Sequence, residues 1–283
     1  MADWWYGQYT SALVCRVPES TASQPTTTSS SGGNNGSKEH VNVEQARGEW
    51  EKFAGALRRL GAGVLELAPE EECPQGPFVA DCAVVCEGTA LVTRPGGDRR
   101  KEVEVIRKVL EQDLKLDIVQ MLDDNATLHG QDVLFTGKEF FVGLTWFTNQ
   151  AGARALADAF PDYRVSSINV PNEVEHLGDL CGVAGPNLLA VGKSKAAKMV
   201  LKEMELMGEF DYEILSLPDD QATDCLYMNG TILHCTKDEF PDSYKVFETV
   251  TDYHRVAVSN RELRKVGGAL SRLALLIPHT KTK

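Results

Sequence analysis

One pattern constrains the fold more than any other. The chain repeats a short grammar of two apolar runs, an amphipathic stretch and one more apolar run. AVVC and TALVT, split by Glu87 and Gly88, predict a hairpin between Cys82 and Val92. Residues 101–114 then return to helical spacing, and 118–122 predict a strand. The unit recurs as VLFTGKEFFVGL, a helix over 149–160 and a strand. It recurs as NLLAVGKS, a helix over 196–207 and YEILSLP, and again as CLYMNGTILHC, a helix over 242–250 and HRVAVSN. Asn229-Gly230 in the last hairpin is a tight-turn signal. Ahead of these, Val43, Trp50, Phe53, Ala54 and Leu57 lie at helical spacing, Gly61 closes the helix, and GVLELAP predicts a strand. A unit repeated about five times, with a period of roughly 40–50 residues, implies radial or solenoid stacking. A doubly wound sheet competes, but it calls for single strands between helices.

The 283 residues, 42% of them hydrophobic, fit one domain over 1–283. Its one low-complexity stretch, TASQPTTTSSSGGNNGSK at about 21–38, is expected to be a flexible loop because it has almost nothing to bury. A net charge of -12 repels phosphate backbones, so no nucleic-acid partner is expected. No apolar run approaches the roughly 18 residues of a membrane helix, so no membrane partner is expected. Met1–Thr10 lacks the cationic-then-apolar order of a secretory signal. The seven scattered cysteines read as buried reduced thiols, and the expected location is cytoplasmic. No pair of CxxC elements exists, so neither a metal nor another cofactor is expected.

Longer strings carry a resemblance. FVADCAVVCEGTALVTRPG, RRKEV, DDNATLHGQDVLFTGKEFFVGL, TNQAGA, VAGPNLLAVGKS, SLPDDQATDCLYMN and LRKVGGALSRLALLI are collinear from about Val14 to Ile277. They resemble the vertebrate-type dimethylarginine dimethylaminohydrolases. The resemblance implies a pentein-type α/β propeller: five ββαβ modules around a pseudo-fivefold axis, with the active site in the central channel. It also implies a chemistry. A cysteine thiolate attacks the guanidinium carbon, and a histidine protonates the leaving amine and then activates water. Carboxylates hold the guanidinium, and an arginine holds the substrate carboxylate.

Against that pattern this sequence departs at several positions. Arg272 stands at the nucleophile position, and its charge repels a guanidinium. His129 and Gln75 stand where the family has acids, and Ala80-Asp81 replaces an acid-acid pair. Phe147 stands at the substrate-anchoring arginine, and Gly267 at a further carboxylate. His176, Asp81, Asp132, Arg99 and Arg100 survive. The expected site is therefore His176 as a vestigial general acid, Arg272 at the nucleophile position, and Asp81, Arg100, His129, Asp132, Phe147, Gln75 and Ser271 as ligand-binding residues.

Alternatives stand beside each role. His176 is a general acid or a hydrogen-bonded structural histidine. Arg272 binds an anionic ligand, or pairs with Asp81 and stabilises the fold. His129, His176 and Asp81 together have the donor types of a metal site. Ser271 is a replacement nucleophile only with a base and an oxyanion pocket beside it. Cys225 and Cys235 are redox-active or buried structural thiols. Trp4, Trp5, Tyr6 and Tyr9 form a partner contact or a packed strand. The balance points to a catalytically inactive member that binds a small molecule in the central channel or a protein partner, as a monomer or homodimer. An active hydrolase on methylated arginine or an altered substrate is the alternative.

Overall fold

The computed structural model describes residues 6–26, 40–96 and 99–278. Among the described residues, five three-stranded sheets account for all the strands. The first module runs β1 (Tyr9–Cys15), α1 (Val43–Arg59) and β2 (Gly63–Leu67). The second is β3 (Ala83–Cys86), β4 (Thr89–Val92), α2 (Arg100–Gln112) and β5 (Asp117–Gln120). The third is β6 (Val133–Phe135), β7 (Glu139–Leu144), α3 (Gln150–Ala159) and β8 (Arg164–Asn169). The fourth is β9 (Cys181–Gly185), β10 (Leu188–Gly192), α4 (Lys195–Met207) and β11 (Glu213–Leu217). The fifth is β12 (Leu226–Met228), β13 (Thr231–His234), α5 (Pro241–Phe247) and β14 (His254–Ala257). A short α6 (Arg261–Arg264) and β15 (Leu275–Pro278) follow.

In every sheet the middle strand pairs antiparallel with one neighbour and parallel with the other. The parallel step needs a crossover, which the helix supplies. The first module is completed from the far end of the chain: β15 pairs antiparallel with β1, Ala12 opposite Leu276 and Leu13 opposite Leu275. The architecture is therefore five ββαβ modules, and the doubly wound alternative is set aside.

Local chemistry explains the boundaries. Asn42, Asn149 and Ser194 cap α1, α3 and α4 by accepting the backbone N–H of Gln45, Gly152 and Ala197. Asn229 and Gly230 both have positive φ, 50° and 78°, as the two-residue turn between β12 and β13 requires. The central strand β7 carries adjacent Phe140 and Phe141, both fully buried, because α3 and strands of the second module cover one face while α4 and strands of the fourth cover the other. Each such ring contributes about 2 kcal/mol of burial.

Some expectations change. The helix expected over 242–250 ends at Phe247. The loop expected over 21–38 begins inside a 3-10 turn, Glu19–Ser23, where Thr21 is fully buried and its hydroxyl donates to Pro74 O at 3.0 Å. Residues 27–38 lie outside the described residues, as do Trp4 and Trp5. Tyr9 opens β1, and the Tyr6 hydroxyl donates to Phe135 O at 3.2 Å, so this pair packs on the sheets. Among the described residues no helix is long and apolar enough to cross a membrane.

A 3-10 turn precedes the inner strand of each module: Val79–Asp81, Gly130–Asp132, Leu177–Asp179, Asp220–Thr223 and Leu270–Leu273. Neighbouring turns touch, and Asp224 accepts the backbone N–H groups of Leu270 and Ser271, which closes a ring. Glycine makes the contacts possible. A Cβ on Gly130 would stand 1.8 Å from Ala80 O, and one on Gly178 would stand 2.9 Å from Gln131 O. The ring of turns places the site.

Candidate functional site

Asp81 ends the first turn of the ring and is fully buried. Two arginines converge on it. Arg272 donates Nε to Oδ1 at 2.9 Å and Nη2 to Oδ2 at 2.7 Å, a fork matched to a carboxylate. Arg99 donates Nη1 to Oδ2 at 2.5 Å. Burial alone would raise the Asp81 pKa, but Arg272, His129 and Arg99 hold the carboxyl well below the usual range.

The Arg272 guanidinium is buried and has further partners. Nη1 donates to Gly267 O, and Cζ lies 4.5 Å from the centroid of the Phe78 ring. Arg99 is held as firmly. Its Nε donates to the buried Glu102, and Nη2 donates to Gln75 O at 3.0 Å and Phe78 O at 3.2 Å. Gln75 thus serves the site through its carbonyl.

The second half of the cluster is centred on Asp132, which ends the Gly130–Asp132 turn and is also fully buried. Its Oδ2 accepts from Thr145 Oγ1 at 2.8 Å and Thr148 Oγ1 at 2.6 Å. Its Oδ1 accepts from Leu177 N at 3.1 Å and lies 3.2 Å from His176 Nδ1. A carboxylate oxygen only accepts, so the Nδ1–H of His176 donates to it.

His129 bridges the two halves. Its Nδ1 accepts from Gln131 N at 3.2 Å, so the neutral ring carries its proton on Nε2, which lies 3.6 Å from Asp81 Oδ2. Burial pushes its pKa down to about 3 against the pull of Asp81. The ring stacks on His176 with centroids 4.2 Å apart. Phe147 covers both, 4.9 Å from His176 and 5.8 Å from His129. The neighbouring Trp146 is 79% exposed.

The ligand atoms of His129, His176 and Asp132 lie within 4.8 Å of one another, so the histidines group with Asp132 rather than with Asp81. The geometry is poor for a cation. Asp132 already accepts from four donors, the imidazoles stack face to face, and His129 Nδ1 accepts from a backbone N–H. A metal needs in-plane imidazole lone pairs converging on one point.

Two expected residues lie elsewhere. Arg100 is exposed in the first turn of α2. The arginine that enters the site is Arg99 at the N-cap, because one step along a helix turns a side chain by about 100°. Ser271 lies on the other face of the ring of turns from its neighbour Arg272. Its Oγ donates weakly to Asp224 Oδ1 at 3.3 Å and Gln131 Oε1 at 3.4 Å. Phe78, Thr145 and Thr148 enter unannounced. Two threonines three apart just after a strand were the available signal for the second pair, and Phe78 had none. All seven cysteines are buried, and none forms a disulfide. Burial pushes the thiols of Cys82 and Cys181, near the ring of turns, up to about 12, which disfavours a thiolate.

No family model matches the chain. Curated relatives do. The chain is 41% identical over 285 residues to the protein named putative hydrolase DDAH2 of Bos taurus, covering 96% of this chain and 97% of that one. Its identity to the Homo sapiens protein of the same name is 41% over 286 residues, 97% of each chain. The chain belongs to the dimethylarginine dimethylaminohydrolase family. It is also 27% identical over 232 residues to the N(G),N(G)-dimethylarginine dimethylaminohydrolase of Pseudomonas aeruginosa, covering 79% of this chain and 85% of that enzyme. Solved structures agree on the fold. A variant of the Pseudomonas aeruginosa protein complexed with citrulline matches with a TM-score of 0.79 at 20% identity, over 95% of this chain and all of that one. The N-terminal domain of ArgZ, a cyanobacterial arginine dihydrolase, matches with a TM-score of 0.73 at 16% identity, over 95% and 98%. At these identities the likeness shows the fold, and the five modules are those of a pentein.

Proposed function

We propose that this family member is catalytically inactive, and that the Arg272 guanidinium occupies its own site. One observation carries the reading: Arg272 is buried and forked onto Asp81, at the position that the sequence resemblance assigns to the nucleophile. An arginine held as a cation cannot attack a guanidinium, and it repels one. Phe147 over His129 and His176 makes the remaining space aromatic rather than anionic. The protein would then act by binding, with a neutral or anionic small molecule or a protein as partner, as a monomer or homodimer. Seven buried cysteines outside any disulfide fit a reducing, cytoplasmic setting.

The second reading is an active hydrolase on methylated arginine or an altered substrate. It is favoured by the Asp132–His176 pair, which fixes the tautomer that a general acid and base would use. The test separates them. Dimethylarginine, monomethylarginine and arginine are assayed with the wild type and with Arg272→Cys. Inactivity of the wild type with turnover in the variant is expected if only the nucleophile is missing. Inactivity of both means that the substitutions at positions 75, 129 and 147 also matter. Turnover by the wild type at rates typical of enzymes, about 1 per second or more, overturns the proposal.

A further inference from the structure

The ring of turns has two faces, and the site described above uses one. Beyond the other face lies a cavity of about 220 Å³ along the axis. Its walls are three consecutive residues at or next to the start of each inner strand, 83–85, 133–135, 181–183, 225–227 and 274–276. Its floor is the ring itself, and the two faces alternate along the chain. Ala80, Gln131 and Ser271 line the cavity, while their neighbours Asp81, Asp132 and Arg272 bind one another or the histidines on the site side. Tyr6 and Tyr9 join the walls from the N-terminal segment.

The floor is polar and incompletely matched. Gln131 is 7% exposed, and its Oε1 accepts from Ser271. Its Nε2 has no hydrogen-bond partner within the protein. A buried amide donor left unmatched is costly and calls for an explanation. Gly178 lets the amide lie there, since a Cβ at that position would stand 2.3 Å from Nε2. Beside it Asp224 accepts from Leu270 N, Ser271 N and Ser271 Oγ. Burial raises the Asp224 pKa above its ordinary value despite Arg264 and these donors. The walls are mostly aliphatic. The space equals roughly seven waters at ~30 Å³ each, below the ~300–1,000 Å³ of a drug-sized site.

We propose that this axial cavity is a second ligand site, taking a small neutral molecule with an apolar body and a terminal amide or carbonyl whose oxygen accepts from Gln131 Nε2. The aliphatic walls disfavour the charges of a dimethylarginine-like ligand. The proposal does not depend on whether the Arg272 side is active, because no catalytic-type side chain of that side lines the cavity.

Benzamide is the probe, because its amide matches the floor and its ring matches the walls. It is titrated into the full chain, followed by the side-chain amide resonances, and soaked into crystals. Saturable binding is expected, with the Gln131 Nε2 resonance shifted and the benzamide oxygen seated on it. Gln131→Met, of similar length and without the donor, is expected to bind about tenfold more weakly. Val183→Phe, which fills the wall, is expected to abolish binding and keeps the test sharp if the first variant folds poorly. No saturable binding to the wild type overturns the proposal. So does benzamide seated against Phe147 or Arg272, or equal affinity in Gln131→Met.

Discussion

Asp81 and Asp132 occupy the same place in successive modules: each ends a 3-10 turn before an inner strand, and each is fully buried. They are held by opposite means. Asp81 faces two guanidiniums and a histidine, so charge balances charge. Asp132 faces two threonine hydroxyls, a backbone N–H and the His176 imidazole, with no guanidinium among its hydrogen-bond partners. The scaffold therefore asks only for a carboxylate that joins neighbouring turns. What each one does depends on which side chains the adjacent modules send to meet it. At Asp132 the partners orient His176, and at Asp81 they fix Arg272 in place.

The comparison breaks most sharply at Asp81. Asp81→Asn leaves the buried Arg272 guanidinium without a counter-charge and Arg99 with Glu102 alone, and should cost about 3–5 kcal/mol of unfolding free energy, measured by urea denaturation. A cost under about 1 kcal/mol would mean that the arginines find other acceptors, and that charge balance is not what holds this half. Replacing the pair together, Asp81→Leu with Arg272→Met, should recover part of the loss. Asp132→Asn should cost less, about 1–3 kcal/mol. The amide oxygen can still accept, and the threonine hydroxyls can rotate to meet the new donor. A larger loss at Asp132 than at Asp81 would invert the contrast.

The same contrast explains how much was legible beforehand. Hairpins and amphipathic helices are local signals, so β3 to β5, β6 to β8 and β12 to β14 follow from alternation and spacing. β9 does not, because CGVAG has no alternation to read. The β1–β15 pair joins the two ends of the chain, and no local pattern announces that contact. In the site, the positions of Asp81, His129, Asp132, His176 and Arg272 came from collinear strings, and the ring of turns brings them together. Arg100 was named alongside Arg99 because sequence gives adjacency, whereas a helix start decides which neighbour turns inward. Gln131 and Asp224 drew no notice because they sit between recognisable positions and face the opposite side of the ring.

A smaller effect concerns pH and the bridge between the two halves. His129 has a folded pKa near 3, below its unfolded value. The unfolded chain therefore binds more protons between about pH 6.5 and 3, and stability falls as pH drops through that window. The Asp81 carboxyl, also depressed, acts in the same direction, but only below about pH 4. By pH 5.5 the His129 contribution to the loss should be about 1 kcal/mol, read from unfolding curves at pH 7.5 and 5.5. His129→Asn should remove that difference. An unchanged slope would assign it to another group.

The smallest effect is expected at Ser271, which tests whether the two faces of the ring are independent. Its hydroxyl bonds are long, 3.3 and 3.4 Å, and the backbone N–H that also binds Asp224 survives truncation. Ser271→Ala should therefore change stability by no more than about 0.5 kcal/mol. It should also leave any turnover by Arg272→Cys unchanged, because no histidine contacts the Ser271 hydroxyl among its hydrogen-bond partners. A large drop in that turnover would place Ser271 in the chemistry and join the two faces into one site. No change would leave the septum of turns as a real divide, with adjacent residues of one chain serving separate compartments.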